Sequence, residues 1–90
     1  MFAVVARVKL PEDETIEQGR EQLDTIVIPG LKQAPGFVSA LFLSAPTGSE
    51  GLGIVTFNTQ EDANTARDNF RTPPGVTPIS VEVHEIARAT

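Results

Sequence analysis

Cysteine, tryptophan and tyrosine are all missing from this chain of 90 residues, and histidine occurs once. Without cysteine there can be no disulfide and no thiolate metal site, and such a chain fits a reducing compartment. Basic residues are few and scattered. Seven Lys and Arg stand against twelve Asp and Glu, for a net charge of −5, and no two of the seven are adjacent. Nucleic acid and anionic membrane surfaces are recognised by clustered cations, so neither is expected as a partner. No apolar run approaches the ~20 residues of a spanning helix, and the first residues lack the basic and apolar regions of a signal peptide. A cytoplasmic location is the resulting expectation.

A chain this short buries only about 60–65% of its unfolded surface, so its core is thin unless something supplements it. With disulfides and thiolate metal sites excluded, self-association is the expected supplement.

The stretch that organises the sequence is Ala34-Pro35-Gly36-Phe37-Val38-Ser39-Ala40-Leu41-Phe42-Leu43. It closes a long amphipathic segment, breaks it at Pro-Gly and opens the most apolar strand. Before it, Phe2 to Leu10 alternates as a strand, with Phe2, Val4, Ala6, Val8 and Leu10 on one face. Ala3, Val5, Arg7 and Lys9 occupy the other. Pro11 to Glu14 turns the chain, and Asp13 or Thr15 caps a helix, Thr15 with Gln18 three residues on. Ile16, Gly19, Leu23, Ile26, Val27, Gly30, Leu31 and Ala34 recur at the helical period. Gly19 on that stripe predicts close packing against the sheet. Pro29 costs an uninterrupted helix about 3 kcal/mol, which predicts a kink with a short helical restart.

Phe37 to Ser44 reads as the second strand, with Phe37, Leu41 and Leu43 opposite Val38, Ala40 and Phe42. Ala45 to Glu50 is a hairpin connection and Gly51 to Phe57 the third strand. Asn58 or Thr59 caps a second helix running to about Arg71, with Ala63, Ala66 and Phe70 inward. Thr72-Pro73-Pro74-Gly75 stops it. Ile79, Val81 and Val83 then alternate with Ser80, Glu82 and His84 in a fourth strand. The order β-α-β-β-α-β predicts an α+β, ferredoxin-like domain with a four-stranded antiparallel sheet over residues 1–90.

Two helices cover one face of such a sheet, yet three strands are apolar on both faces. Monomers tolerate only a few hundred Å² of contiguous apolar surface. A second copy laid on the sheet face resolves the mismatch, and two-fold homodimers are the commonest soluble oligomers.

In element order the chain resembles the dimeric α+β barrel proteins, in particular the antibiotic-biosynthesis-monooxygenase-like group. Locally the resemblance rests on Val27-Ile28-Pro29-Gly30-Leu31 leading into Ala34-Pro35-Gly36-Phe37-Val38-Ser39, and on Val55-Thr56-Phe57 before a capped helix. It implies a dimer with face-to-face sheets and a ligand cavity between sheet and helices in each protomer. Members include cofactor-independent monooxygenases of phenolic compounds, haem-degrading enzymes and proteins without known activity. The oxygenases rely on polar aromatic residues, and the haem-degrading branch has a His on the second helix. This chain has no Trp or Tyr, and Gln60 to Arg71 contains no His, so neither set is carried over.

His84 has two readings: a general base that deprotonates a phenolic or enolic substrate, or a polar residue on an exposed strand face beside Glu82. Arg7 either pairs an anionic substrate or crosses a dimer interface to Glu82 or Glu85. Phe37, Phe42, Phe57 and Phe70 either line an apolar cavity or form ordinary core. Gly48, Gly51 and Gly53 lack the lysine and following helix of a phosphate loop and read as a hairpin. Glu12, Asp13, Glu14 and Glu17 lack the spacing of a calcium loop and read as a solvated helix start, so no metal is expected. Two functions remain open. One is a cofactor-independent oxygenase of a small aromatic or enolisable compound. The other is a non-catalytic homodimeric module that binds a small apolar ligand or a protein partner.

Overall fold

The computed structural model describes residues 1–90. Strand β1 (Phe2–Lys9) is followed by a helical segment in three pieces. These are α1 (Ile16–Gln22), a π turn (Leu23–Val27) and α2 (Ile28–Lys32). Strands β2 (Phe37–Ser44) and β3 (Glu50–Phe57) form a hairpin, and helix α3 (Gln60–Asp68) leads to β4 (Thr77–Glu85). The sheet is antiparallel in the order β2-β3-β1-β4, compatible with the ferredoxin-like split βαβ arrangement.

Local chemistry explains each boundary. Thr15, not Asp13, caps α1 in a reciprocal capping box: its Oγ1 accepts from the Gln18 N–H at 3.2 Å, and Gln18 Oε1 accepts from the Thr15 N–H at 2.8 Å. Pro29 lacks an N–H, and its ring crowds the turn before it. The chain answers with a π turn rather than a sharp kink, the Ile28 N–H reaching back five residues to the Leu23 carbonyl. Pro29 then stands in the first turn of α2, where a missing N–H costs least. The wider turn shifts the phase of the apolar stripe, and Ile26 ends 55% exposed instead of inward.

Helix α3 is capped by Thr59, whose Oγ1 accepts from the Asp62 N–H at 3.1 Å. It stops at Asp68, earlier than Arg71, because Asn69 turns back and donates from Nδ2 to the Thr65 carbonyl at 3.0 Å.

Two bulges correct the strand faces read from alternation. In β2 the register slips between Phe37 and Ser39, so Phe37 opposes Phe57 and joins Ala40 and Phe42 on the helix side. Leu41 and Leu43 are left on the other face. In β4, which pairs with β1, Pro78 lies opposite Val8 and Ser80 opposite Arg7. Ile79 drops out of the register and is exposed. Pro78 has no N–H for the ladder, which accounts for a bulge at that point.

The core is small. Val4, Val55, Phe57 and Ala63 form its buried centre, with Leu31, Ala34, Phe37, Ala66, Val81 and Val83 packed around it. Phe57 is 0% exposed, and the Phe37 ring meets it edge to face with centroids 6.4 Å apart. Helix α3 supplies the one fully buried helical residue, Ala63, whereas α1, the π turn and α2 bury none. The first helical segment therefore lies loosely over the sheet, and α3 lies tightly.

Two glycines separate these situations. Gly36 has φ +75°, its carbonyl accepts from the Asn58 N–H at 2.9 Å, and a Cβ there would collide with the Asp62 carboxylate. Gly19 has ordinary helical geometry, and a Cβ there would meet only the Glu14 carboxylate at 3.7 Å. The expected packing of Gly19 on the sheet is not found. Gly19→Ala should raise unfolding free energy by about 0.8–1 kcal/mol through helix propensity alone. Gly36→Ala should lower it by about 1–3 kcal/mol through the left-handed backbone. Urea denaturation at fixed protein concentration reads both, and a destabilising Gly19→Ala would contradict the loose first helix.

Candidate functional site: a cleft beneath the first helix

Along the helix-facing side of β3 the residues run Phe57, Val55, Gly53, Gly51, from the largest side chain to none. At the Phe57 end the space between sheet and helices is filled. At the glycine end it is open, and a cleft of about 480 Å³ lies between the sheet and the first helical segment. That volume lies within the ~300–1,000 Å³ usual for small-molecule sites.

The floor of the cleft is Ala6 and Val8 of β1 with Gly51 and Gly53 of β3. The Phe42 ring leans over Gly53, where an added Cβ would stand 3.4 Å from its Cδ1 atom. The roof is Gly19, Leu23 and Val27, one helical face continued through the π turn. Phe70, Pro73 and Val76, in the connection from α3 to β4, close one end. Seven polar side chains also line the cleft: Glu14, Thr15, Arg20 and Gln22 on the helix side, Ser44 at the end of β2, and Arg71 and Thr72 beyond α3. Three of them are charged, and of these Arg20 and Arg71 are exposed and so stand at the rim.

Of the four phenylalanines considered as lining, the structure brings Phe42 and Phe70 to the cleft. Phe57 and Phe37 belong to the core beside it. His84 and Arg7 lie elsewhere. Both project from the opposite face of the sheet, His84 across from Ala3 and Arg7 across from Ser80. Four residues along the strands separate them, roughly 13 Å. The His84 side chain is 58% exposed, with Nε2 3.5 Å from Glu82 Oε2. Arg7 has no carboxylate within 4.0 Å. No three His, Asp or Glu side chains converge as a metal-ligand set.

That opposite face is itself apolar at its centre. Leu41 and Leu43 are 56% and 44% exposed, and Leu52, Ile54 and Val5 beside them are half-buried. Arg7, Lys9, Glu50, Glu82 and His84 surround them, so both signs of charge occur on one face.

Sequence reasoning missed the glycine floor and the rim arginines. The floor had a readable signal, because Gly51 and Gly53 share the parity of Val55 and Phe57. Arg20 and Arg71 had none, since nothing local distinguishes a rim cation from a solvated one. The chain matches no protein-family model and no curated protein. No helix is long and apolar enough to cross a membrane.

With no native tryptophan, the cleft can be mapped by fluorescence. Leu23→Trp should emit at shorter wavelength than Ile26→Trp, because position 23 roofs the cleft and position 26 faces water. Equal emission maxima would mean that the helix is rotated from this placement.

Proposed function

We propose that the protein is a homodimer that holds a small apolar or aromatic molecule in the cleft of each protomer, without transforming it. The cleft carries this reading: a mainly apolar space of ligand size, floored by glycine, whose lining includes three charged side chains, Glu14, Arg20 and Arg71. Its residues include no histidine and no paired acid and base. In the resemblance to antibiotic-biosynthesis-monooxygenase-like barrels, this corresponds to the cavity between sheet and helices. A cofactor-independent oxygenase with His84 as base would need its substrate on the other side of the sheet, where the second copy is placed. Ligand holding is the reading that the geometry favours.

The dimer is supported by area and by charge. The chain exposes 6214 Å². Folded monomers of 9.6 kDa expose about 5,100 Å² by the usual size scaling. The excess of about 1,100 Å² per chain is comparable with the ~800 Å² that each partner buries in a standard interface. A two-fold axis brings each patch against itself, so an interface with both signs of charge can satisfy them. In such a dimer Arg7 would pair with Glu82 of the second copy, and Leu41 and Leu43 would pack on the other copy's leucines.

Sedimentation at micromolar concentration should show a dimer. Leu41→Asp should convert it to a folded monomer, and Arg7→Glu should weaken association at least tenfold, with recovery on adding Glu82→Arg. A monomeric wild-type protein with a wet sheet face would end the dimer proposal. For the cleft, N-phenyl-1-naphthylamine should bind the wild-type protein and lose at least tenfold in affinity in Gly53→Val. Unchanged binding in that variant would remove the cleft as the site.

A further inference from the structure

Resting on the cleft as the ligand site, we infer that its ligand carries an anionic group, so that the class is a small apolar acid in its ionised form. The chain as a whole is acidic, at −5, but the cleft rim carries two arginines against one carboxylate. Arg20 reaches it from α1 and Arg71 from the segment after α3. Neither has a carboxylate within 4.0 Å; the only Lys or Arg with such a partner is Arg67, bonded to Asp68 at 3.1 Å.

The two guanidiniums differ in how they are held. Arg71 donates from Nη1 to the Phe70 carbonyl at 2.7 Å, which ties it to the residue that closes the cleft and leaves its other N–H groups free. Arg20 makes no side-chain hydrogen bond within the chain. The single rim carboxylate, Glu14, lies over Gly19 at the start of α1. Asp13 and Glu21 do not line the cleft; they line a polar groove that adjoins it and shares Glu14 and Gln22 with it.

A guanidinium presents a planar fork that matches a carboxylate or sulfonate, and such pairs strengthen when one side is dry. Here the apolar floor and roof remove water from the body of the ligand and leave its charged end at the rim. A neutral ligand would use the same apolar contacts but leave both arginines as they are. A cationic ligand would be repelled by two charges and attracted by one. The anionic class is the one that the rim selects.

Two probes with one skeleton test this. 8-Anilinonaphthalene-1-sulfonate is N-phenyl-1-naphthylamine plus a sulfonate, and both report binding by fluorescence. The wild-type protein should bind the anion at least tenfold more tightly than the neutral probe. In Arg20→Gln with Arg71→Gln that preference should vanish, the ratio of the two affinities falling to about one. Both replacements are exposed, and a circular dichroism spectrum checks the fold.

Gly53→Val and Ala6→Leu, which fill the floor, should weaken both probes. Equal affinities in the wild-type protein, or a preference that survives the double arginine variant, would overturn the anion assignment and leave cleft binding standing. Failure of both probes to bind, or binding indifferent to both floor variants, would overturn the cleft reading and this inference with it.

Discussion

A four-stranded sheet has two faces, and this chain supplies helices for one. Every other feature is conditioned by that shortage of cover. On the helix side, α3 presses Ala63 onto Val4, Val55 and Phe57 and makes the only fully buried cluster. On the other side no helix covers the sheet, and Leu41 and Leu43 are exposed while Leu52, Ile54 and Val5 are half-buried. Fully burying an exposed large aliphatic side chain contributes about 1.5–3 kcal/mol, so completing the burial of even the two exposed leucines is appreciable against a domain stability of about 5–15 kcal/mol. The second copy proposed above would cover it, because the patch combines an apolar centre with charges of both signs that a two-fold axis can pair.

The covered face has its own asymmetry. Helix α3 is short, capped by Thr59 and seated on a filled part of the sheet. The first helical segment is longer and broken by Pro29. It lies over the part where β3 presents Gly53 and Gly51 instead of Val55 and Phe57. Glycine costs a strand packing and backbone order, and a helix without a buried residue gains little from its sheet. Both losses fall on the same space. The cleft is thus where two local weaknesses coincide, and a ligand that filled it would restore the missing contacts.

The order of elements was legible because local signals and tertiary packing agree. Thr15 with Gln18, Thr59, the Pro35-Gly36 break and the alternation in β1 each act within a few residues, and each is found in place. Face assignments in β2 and β4 were less legible. A bulge adds one residue, and every side chain on one side of it changes face relative to simple alternation. Pro78 carries a local reason for its bulge. Phe37 to Ser39 carries none, because that slip is decided by Phe37 finding Phe57 across the sheet. The phase of the first helix was misread at Ile26 for a related reason, since a π turn inserts a residue where a periodic reading counts none.

Parity along the strands also separates the chemistry. His84 and Arg7 share a face with Leu41 and Leu43, whereas Phe42, Gly53 and Ala6 share the other with the cleft. No rotamer can carry a side chain through a hydrogen-bonded sheet, so residues of the two sets cannot act on one small molecule within a protomer. A one-residue slip in β4 below the bulge would be needed to move His84, and it would send Val81 and Val83 out of the core at the same time. The register that builds the core therefore also keeps the only imidazole away from the cleft. Under the dimer proposed above, His84 and Glu82 become interface residues, and recognition in the cleft is left to shape, apolar area and the two rim arginines.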